Sequence, residues 1–577
     1  MYFLQLFYIV SRETMNKTHI LGNYIPKQII YRRRDCVSIL NNLKKAFLFS
    51  APEEERTFVL NKNNTHIVYD VRDEQNKSFK NVFNSYDDNL NYIKKQFKYP
   101  DNNDFVIRKI KIFKDTKAFI IMYDGMVNTA AVDYAVITPL LEIPQFSKDV
   151  SENEIYEKLL THSQVQKTND LEQIIDDVNF GSCALFVDGI NFAFSIDVRN
   201  WEHRGVDKPD NEQSLYGPQE AFSEMLRTNS ALVRKILKTE KLICEGVKVG
   251  RVSKTRGVMM YIEDLANDEL VNEVRYRINS VSIDYIFAIE ELSELLEDKT
   301  YMITNQILAT ERPDRVARLL SEGRVALILN GSPRALVFPT NALELMHTAS
   351  DAYLRYPYAN MTRAIRLIAM FITLLLPGLY LAITLFHHEM IPTFLAYAIA
   401  AARENVPFPS IVELLIMDLS FELIREAGIR MPNAIGSTLG IVGGLILGQA
   451  AVSAKIVSPL MIIIIAITGI GSFATPNYSL GWSYRILRLI FIILGTTAGL
   501  YGIAFGIFLY ALLLGAQVNF GVPFLAPITK EKPKGNGRSL FVDPLWKNEE
   551  RPEFLAVKDK NQEPKISRKW KTKKKRE

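Results

Sequence analysis

The sequence predicts an α/β cytoplasmic domain of two similar subdomains, followed by an α-helical multi-pass membrane domain. Three observations carry this prediction. Short β-rich runs alternate with helical ones up to about residue 345, long apolar stretches begin near residue 364, and the first part of the chain repeats itself. Because 577 residues are too many for one hydrophobic core, several domains are expected.

Changes of composition divide the chain into five parts. We expect an N-terminal segment, a first α/β subdomain with a connecting helix, a second α/β subdomain, a helical transmembrane domain and a basic cytoplasmic tail, with the boundaries 1–98, 99–242, 243–348, 349–525 and 526–577. The last thirteen residues, KISRKWKTKKKRE, contain eight Lys or Arg. Such a run is typical of a solvated tail beside a membrane, and it attracts anionic lipid.

The α/β elements follow from the pattern of apolar residues. FVIRKIKIF (105–113) and KAFIIMYDG (117–125) are rich in β-branched and aromatic residues, which indicates strands. QEAFSEMLRTNSALVRKILK (219–238) has apolar residues at helical spacing, which indicates a helix. Alternating elements of this kind are typical of an α/β architecture.

The first part of the chain contains an internal repeat. TKAFIIMYDGMVN (116–128) resembles TRGVMMYIEDLAN (255–267), and GSCALFVDGINFAF (181–194) resembles GRVALILNGSPRAL (323–336). The offsets are 139 and 142 residues. Two matches in the same order at nearly the same offset predict two similar α/β units, near 99–200 and 243–345. The open alternative is that buried strands ending in an acidic turn resemble one another by composition.

No catalytic or cofactor motif occurs in a suitable context. GxGxxG, P-loop and GxSxG patterns are missing from strand–helix junctions, and HHE (387–389) lacks a second His four residues on. The three cysteines, Cys36, Cys183 and Cys244, show neither zinc-site spacing nor a disulfide pattern. The net charge of +5 is mild for this length. We therefore expect a protein that is not an enzyme, with no cofactor, no metal site and no nucleic-acid partner.

Four stretches of the last third are long and apolar enough to span a bilayer: 364–386, 436–454, 458–475 and 489–515. Each is near or above the roughly 20 residues that cross the hydrocarbon layer. Pro377 lies inside the first stretch, where it removes a helical hydrogen bond and predicts a kink.

Basic residues on both sides of the membrane region set its orientation. Arg363 and Arg366 precede the first span, and the basic tail follows the last. Because basic residues stay on the cytoplasmic side, both ends are expected there, and the number of crossings is even.

The number of crossings is open between four and six. Four crossings match the four long stretches, but they place Arg485 and Arg488 on an outer loop. Six crossings require 391–402 and 411–424 as further spans. These two segments are short, and their length fits re-entrant or interfacial helices better.

Glycines recur every fourth residue in the second span and form one smooth face of a helix: Gly436, Gly440, Gly444 and Gly448. A face without side chains lets two helix backbones approach closely in a membrane. We predict that these four are helix-packing residues. In the last span, Gly495 with Gly499 and Gly502 with Gly506 mark similar contact faces, within one chain or between chains.

The stretch PFPSIVELLIMDLSFELIREAGIRMP (407–432) is apolar yet acidic, and we expect an amphipathic or re-entrant helix over 411–426. Asp418, Glu422 and Glu426 are four residues apart, so on a helix they share one stripe, with Arg425 beside it. Three interpretations remain open. The carboxylates line a pore or vestibule that concentrates cations, or Glu422 forms an ion pair with Arg425 inside the protein, or the stripe is exposed at the membrane surface.

Several blocks of the chain resemble, in the same order, the A subunits of the spore-germination nutrient receptors, the GerA family. They are ERPDRVARLLSEGRVALILNGSP (311–333), FHHEMIPT (386–393), AARENVPFPSIVELLIMDLSFELIREAGIRMPNAIG (401–436), GQAAVSAKIVSPLMI (448–462) and SFATPNYSLG (472–481). Two further blocks are YGPQEAFSEMLRTNSALVRKILK (216–238) and FGVPFLAP (520–527). The resemblance covers roughly residues 100 to 550.

The resemblance implies a function that the residues alone do not supply. It implies a subunit of the inner membrane of the dormant spore, with its N-terminal domain in the cytoplasm, that assembles with a transporter-like B subunit, with a lipoprotein C subunit and with copies of itself. It further implies a nutrient-responsive receptor that forms a gated cation channel whose opening triggers germination. Two alternatives remain open, a secondary transporter and a non-receptor accessory of the same family.

Overall fold

The structure of the chain is a computed structural model, and it describes residues 58, 60, 81–112, 116–142, 164–199, 208–209, 211–430, 443–444, 446–526, 528, 540–545 and 550–562. Most of the predicted N-terminal segment and the last basic residues, 563–577, lie outside the described residues. Within the described part, an α/β domain of two subdomains precedes a bundle of helices, as the sequence predicted.

The first subdomain is a five-stranded antiparallel sheet with helices packed on it. Its strands pair in the order β1-β2-β4-β5-β3, and they are β1 (Phe105–Ile112), β2 (Thr116–Tyr123), β3 (Val165–Thr168), β4 (Cys183–Val187) and β5 (Ala193–Ile196). Its helices are α1 (Tyr86–Gln96), α2 (Thr129–Val132), α3 (Thr138–Glu142) and α4 (Leu171–Asn179), with a π turn over Asp133–Ile137 between α2 and α3.

The central strands of this sheet, β2, β4 and β5, are buried on both faces, which explains why they are almost continuously apolar. Side chains alternate between the two faces of a strand. On β2, Phe119 and Ile121 belong to one apolar cluster, whereas Ala118 and Ile120 belong to another on the opposite face. Each cluster includes residues of helices, so the sheet forms the middle layer of the subdomain.

The second subdomain repeats the first. Its strands pair in the order β6-β7-β9-β10-β8, and they are β6 (Leu242–Val249), β7 (Thr255–Ile262), β8 (Leu308–Thr310), β9 (Val325–Leu329) and β10 (Ala335–Phe338). Its helices are the connecting helix α5 (Leu226–Ile236), then α6 (Asp268–Ser280), α7 (Ile289–Leu296), α8 (Pro313–Leu320) and α9 (Ala342–Met346). Strands β2 and β7 begin at Thr116 and Thr255, 139 residues apart. The predicted duplication is confirmed.

A buried arginine on α5 joins the two subdomains. Arg234 is 2% exposed. Its Nη2 donates to Asp104 Oδ1 of the first subdomain at 2.8 Å and to the Leu242 carbonyl oxygen of the second at 2.9 Å. The guanidinium carbon lies 4.0 Å from the centroid of the Tyr123 ring. One side chain thus holds the two sheets in a fixed relation.

Five helices are described with their bounds in the last third of the chain: α10 (Tyr356–Phe386), α11 (Thr393–Arg403), α12 (Ser410–Arg430), α13 (Pro459–Phe473) and α14 (Tyr478–Gly515). Residues 443–444 and 446–453 are helical as well. Among the described helices, α10 is long and apolar enough to cross a membrane, and α14 is so by its total length and composition, although it is divided at Gly499. Helices α11 and α13 are apolar but shorter. Much of the predicted span 436–454 lies outside the described residues.

Helix α14 is folded back on itself at Gly499. The φ of +62° and ψ of −143° at this residue are not helical and suit glycine. A β-carbon on Gly506 would lie 2.8 Å from Leu494 Cδ1, and Gly502 lies against the Leu494 carbonyl group. In a straight helix, residues eight positions apart are separated by about 12 Å. The segment therefore consists of two antiparallel arms, 478–498 and 500–515.

The helices α10 and α14 touch through glycines. The Gly378 carbonyl oxygen on α10 lies directly against Gly495 on α14, and a β-carbon on Gly378 would lie 2.6 Å from the Phe491 carbonyl oxygen. Gly495, Gly499, Gly502 and Gly506 are all buried. Gly495, Gly502 and Gly506 are contact residues within one chain, as the glycine spacing predicted, whereas Gly499 lies at the turn that divides the predicted span 489–515.

Changing Gly495 to alanine is expected to destabilise the helical domain by about 1–3 kcal/mol, because the added methyl group overlaps backbone atoms that cannot rotate away. The matched control is Gly481→Ala on the same helix, where no described atom lies within 4 Å of the added carbon. The midpoint of thermal unfolding in mild detergent should fall for Gly495→Ala. It should stay or rise for Gly481→Ala, since alanine favours helix. Equal midpoints would contradict the close contact.

Both arms of α14 have one end at the second subdomain. Ser483 Oγ on the first arm donates to the Ile303 carbonyl oxygen at 2.6 Å. The Tyr510 hydroxyl on the second arm lies 3.3 Å from Thr304 Oγ1. Since the two contacted residues are neighbours in the chain, the open end of the hairpin faces the α/β domain.

The chain beyond α14 returns to the second subdomain. It forms a short hairpin of β11 (Val518–Asn519) and β12 (Val522–Pro523). Phe520 at the hairpin turn packs on Phe338 of β10, with 4.7 Å between the ring centroids. Further along, the Ala556 carbonyl oxygen accepts a hydrogen bond from Asn267 Nδ2 at 2.9 Å. The segment after the last helix therefore lies against the α/β domain.

Asp351 fixes the start of α10. It is 2% exposed, and it accepts hydrogen bonds from Arg366 Nη2 at 2.7 Å and from Arg363 Nε at 3.0 Å. Burial alone would raise the pKa of Asp351. The hydrogen bond and charge of Arg366, together with the charge of Arg363, outweigh burial and lower this pKa from 3.8 to about 2.

We expect Asp351 to make folding acid-sensitive. Because its pKa is lower in the folded than in the unfolded chain, its stabilisation is complete above about pH 4 and is lost as the pH falls towards about pH 2. Asp351→Asn should lower the free energy of unfolding by about 2 kcal/mol at neutral pH and by little near about pH 2. Unfolding midpoints of both proteins over this range check the expectation. A difference that does not change with pH would contradict it.

Candidate functional site

Helix α12 carries the predicted acidic stripe into the helical bundle. It is continuous from Ser410 to Arg430, which is longer than the predicted 411–426. Leu414 on one side of it lies in a buried cluster with Met461 of α13. The neighbouring side, which carries the first two carboxylates of the stripe, faces the first arm of α14.

Asp418 forms a buried ion pair with Arg488 of α14. The distance from Arg488 Nη2 to Asp418 Oδ1 is 2.8 Å, and the two side chains are 2% and 5% exposed. Charges are costly to bury unless they are paired and hydrogen-bonded. This pair therefore fixes the register between α12 and α14.

Glu422 lies one helical turn further and contacts three arginines. Its Oε1 accepts from Arg488 Nη2 at 2.9 Å, and its Oε2 accepts from Arg485 Nη1 at 3.2 Å. Arg425 Nη1 is 3.4 Å from Glu422 Oε1, and Arg425 Nη2 donates to Ser472 Oγ of α13 at 2.7 Å. Glu422 thus joins α12 to α14, and Arg425 joins α12 to α13.

These five side chains form what we call the charged cluster: Asp418, Glu422, Arg425, Arg485 and Arg488. Three guanidinium groups face two carboxylates, so the cluster carries one positive charge in excess. In this arrangement the two carboxylates face arginines of the same chain. Whether they line a pore or vestibule stays a prediction.

Glu426, the third residue of the predicted stripe, lies apart from the charged cluster. It forms an i,i+4 pair with Arg430 at 2.7 Å, and the two side chains are 46% and 77% exposed. Exposed pairs of this kind contribute little to stability. Its role as a lining residue also stays a prediction.

Sequence reasoning did not identify Arg485 and Arg488 as partners of the stripe. The four-crossing topology put both on a loop, whereas both lie inside α14 and are buried. A usable signal was present, because two arginines three positions apart share one face of an otherwise apolar helix. Buried arginines in such a helix require carboxylate partners.

Glu413 lies on the other side of α12 and has its own partners. It is fully buried, and its Oε2 accepts a hydrogen bond from the Ser458 backbone N–H at 2.9 Å. Ser458 is the N-cap of α13, so the carboxylate sits at the positive end of that helix. Arg403 Nε lies 3.4 Å from Glu413 Oε1. Glu413 therefore holds the ends of α11, α12 and α13 together.

The predicted glycine face is only partly described. Gly436 and Gly440 lie outside the described residues. No described atom lies within 4 Å of a β-carbon built on Gly444, and the nearest described atom to one on Gly448 is Ile462 Cγ2 at 3.8 Å. These distances leave room for a partner helix beside Gly444. The helix-packing role of the face stays a prediction.

An acidic cavity of about 300 Å³ lies where the second subdomain meets the start of α14. Its carboxylates are Glu212, Glu290, Glu294, Glu297 and Glu311. Burial raises the pKa of Glu297. Burial would also raise the pKa of Glu311, but hydrogen bonds from Asn211 and Arg334 outweigh it and lower that pKa.

A larger cavity of about 730 Å³ lies between the two subdomains. Its charged lining residues are Asp104, Asp124, Arg227, Lys248 and Arg256. The described residues contain no group of three or more His, Cys, Asp or Glu that could hold a metal ion. Both cavities are lined by charged and hydrogen-bonding side chains, which are able to contact a bound polar molecule.

Comparison with known proteins gives matches over most of the chain. The family described as "Bacillus/Clostridium GerA spore germination protein" matches residues 91–554. Spore germination protein KA of Bacillus subtilis is 36% identical over 469 residues, 81% of this chain and 86% of that protein. The uncharacterized membrane protein YfkQ of the same organism is 35% identical over 452 residues, 78% of this chain and 88% of that protein.

Among solved structures, the crystal structure of the N-terminal domain of the A subunit of the Bacillus megaterium spore germinant receptor GerK3 matches part of the chain. It is 31% identical, with a TM-score of 0.36, and the match covers 45% of this chain and 97% of that domain.

Proposed function

The chain belongs to the GerA family of spore germination proteins, and from this premise we propose that it is the A-type subunit of a spore germination receptor that responds to nutrient germinants. The observation that carries the proposal is the family match over 91–554, which takes in both subdomains and the helical domain. Because the match includes both the α/β domain and the helical domain, it supports the same role for this chain as for the members of the family.

The proposed subunit lies in the inner membrane of the spore with its α/β domain in the cytoplasm. It assembles with a transporter-like B subunit, with a lipoprotein C subunit and with copies of itself. The return of the chain after α14 to the second subdomain supports this topology. If the α/β domain stays in the cytoplasm, the segment that packs on it is cytoplasmic too, and the number of crossings is even.

The assembled subunits form a gated cation channel whose opening starts germination. Asp418, Glu422 and Glu426 are the proposed lining of its pore or vestibule, because a ring of carboxylates concentrates cations. The arginines of the charged cluster hold the first two carboxylates in the present arrangement. Conduction through them therefore requires a movement between α12 and α14 that releases the carboxylates, and this movement is the proposed gate.

Glu426→Gln tests the lining without a large effect on folding, because this carboxylate is half-exposed and its pair with Arg430 contributes little. The receptor is purified in mild detergent, sized, and reconstituted in a planar bilayer with germinant. We expect an oligomer of normal size whose cation conductance falls when Glu426 is neutral. Glu404→Gln, an exposed carboxylate after α11, is the matched control. Normal assembly with unchanged conductance would show that Glu426 is an exposed surface residue and not part of the lining.

A non-receptor accessory of the same family is the second candidate. It is favoured by the similarity to YfkQ, which is described only as a membrane protein. Spores that lack this chain distinguish the two. A receptor subunit is needed for the response to its nutrient, whereas loss of an accessory leaves every nutrient response in place.

A further inference from the structure

Helix α11 is apolar, short and uncovered by the described part of the chain. Residues 391–402 contain no charged side chain, and none of the 11 residues of α11 is buried. Phe394 is 92% exposed and Tyr397 is 72% exposed. At about 1.5 Å per residue, the helix is about 16 Å long, which is too short to cross about 30 Å of hydrocarbon.

Helix α11 lies at the end of the bundle away from the α/β domain. It follows the end of α10, where Phe386 and His387 pack against Gly499 at the turn of α14. A β-carbon on Gly499 would lie 3.1 Å from Phe386 Cβ and 3.2 Å from His387 Nε2. At the other end of α11, Lys455 Nζ donates to Asn405 Oδ1 at 3.2 Å, and this pair is exposed. Exposed polar side chains at this end mark the boundary between the bundle and water.

The two sides of α11 differ. Ile399 and Arg403 are half-buried and face the bundle, and Arg403 approaches the buried Glu413 of α12. Phe394, Tyr397 and Ala398 are exposed on the other side. The helix is therefore held at its last residue, and an apolar surface remains open along its length.

We infer that α11 lies along the membrane–water boundary on the side opposite the α/β domain, with its exposed apolar side chains among the lipid headgroups and the first acyl carbons. This inference rests on the proposed placement of the helical domain in a membrane. Lipid fits this surface because the surface carries no charge and offers no partner for a charged group of another protein. Aromatic rings such as those of Phe394 and Tyr397 favour the boundary, where one end of a ring is apolar and the other is wet.

Helix α11 is also linked to α12, the helix that carries two residues of the charged cluster. Arg403 of α11 approaches Glu413, and Glu413 lies on the same helix as Asp418 and Glu422. The ion pair between the half-buried Arg403 and the buried Glu413 therefore links α11 to α12.

The test uses the full chain in nanodiscs of equal parts phosphatidylcholine and phosphatidylglycerol. The background is Cys36→Ser, since Cys183 and Cys244 are buried and inaccessible to a polar reagent. A spin label is attached at Tyr397→Cys, and its collision rates with oxygen, which dissolves in lipid, and with a water-soluble nickel chelate are measured. We expect the oxygen rate to exceed the nickel rate several-fold. The same label at Ile399→Cys, on the side that faces the bundle, should be less accessible to both.

A second label separates this inference from the proposed function. Ile493 is 57% exposed and lies on the first arm of α14, between Ser483 at the α/β domain and the turn at Gly499. If Ile493→Cys shows strong oxygen contact while Tyr397→Cys shows strong nickel contact, α11 lies in water and the inference is wrong. If Tyr397→Cys is shielded from both reagents, a protein partner covers α11, and the inference is wrong again. Strong nickel contact at Ile493→Cys would contradict the membrane placement itself.

Discussion

Replacing Arg488 by methionine is expected to destabilise the helical domain by about 3–5 kcal/mol, because it leaves the buried Asp418 carboxylate without its counter-ion. Arg488 is 2% exposed and contacts Asp418 at 2.8 Å and Glu422 at 2.9 Å. Methionine keeps most of the apolar stem, so that the lost charge is the main change. The midpoint of thermal unfolding and the monodisperse fraction in mild detergent should both fall.

The double variant Arg488→Met with Asp418→Leu is expected to recover much of this loss. Apolar side chains of similar volume often replace both partners of a buried ion pair at little cost, whereas removal of one partner is costly. The matched control is Arg430→Met, since the pair of Arg430 with Glu426 is exposed and should contribute at most about 0.5 kcal/mol. If the double variant loses as much as the two single variants together, the two side chains are not coupled.

The same experiment bears on the proposed gate. If the charged cluster holds the carboxylates in a closed arrangement, any Arg488→Met protein that still assembles should conduct without germinant. An assembled variant that stays closed would show that the cluster serves the fold alone. Conductance therefore tests whether these contacts hold the channel closed, and the unfolding midpoint tests whether they stabilise the fold.

Replacing Arg234 by methionine is also expected to cost about 3–5 kcal/mol, here in the α/β domain. The guanidinium is 2% exposed and bridges Asp104 in the first subdomain and the Leu242 carbonyl oxygen in the second. Without it, a carboxylate and a carbonyl oxygen lose their donors, and the ring of Tyr123 loses its cation. Besides a lower unfolding midpoint, we expect faster proteolysis between the subdomains.

Arg227→Met on the same helix is the control for Arg234→Met. Arg227 also pairs with an aspartate, Asp124, but the two side chains are 47% and 45% exposed, so water replaces the lost contact. We expect a change of at most about 1 kcal/mol. If the two variants lose the same stability, the buried ion pair of Arg234 contributes no more than the exposed ion pair of Arg227. Both subdomains unfolding at an unchanged temperature in Arg234→Met would contradict the bridging role.

The sequence by itself determined the architecture of this protein. Local patterns were enough, since alternating β-rich and helical runs predict an α/β domain and long apolar stretches predict membrane helices. The repeat of TKAFIIMYDGMVN in TRGVMMYIEDLAN predicted two similar units, and the two sheets have the same strand order. The spacing of Asp418 and Glu422 placed both on one side of α12, because the period of a helix is a property of neighbouring residues.

Only the tertiary structure decided what these side chains meet. Arg485 and Arg488 lie more than sixty residues from Glu422 in the chain, and no local period links them. Glycine spacing predicted contact faces in the last span, but it could not show that Gly499 turns the chain back on itself, because glycine is equally compatible with a straight helix and with a positive φ. Whether Gly499 continues the helix or turns the chain depends on which distant surfaces fit together, and this is decided by the packing of the helices.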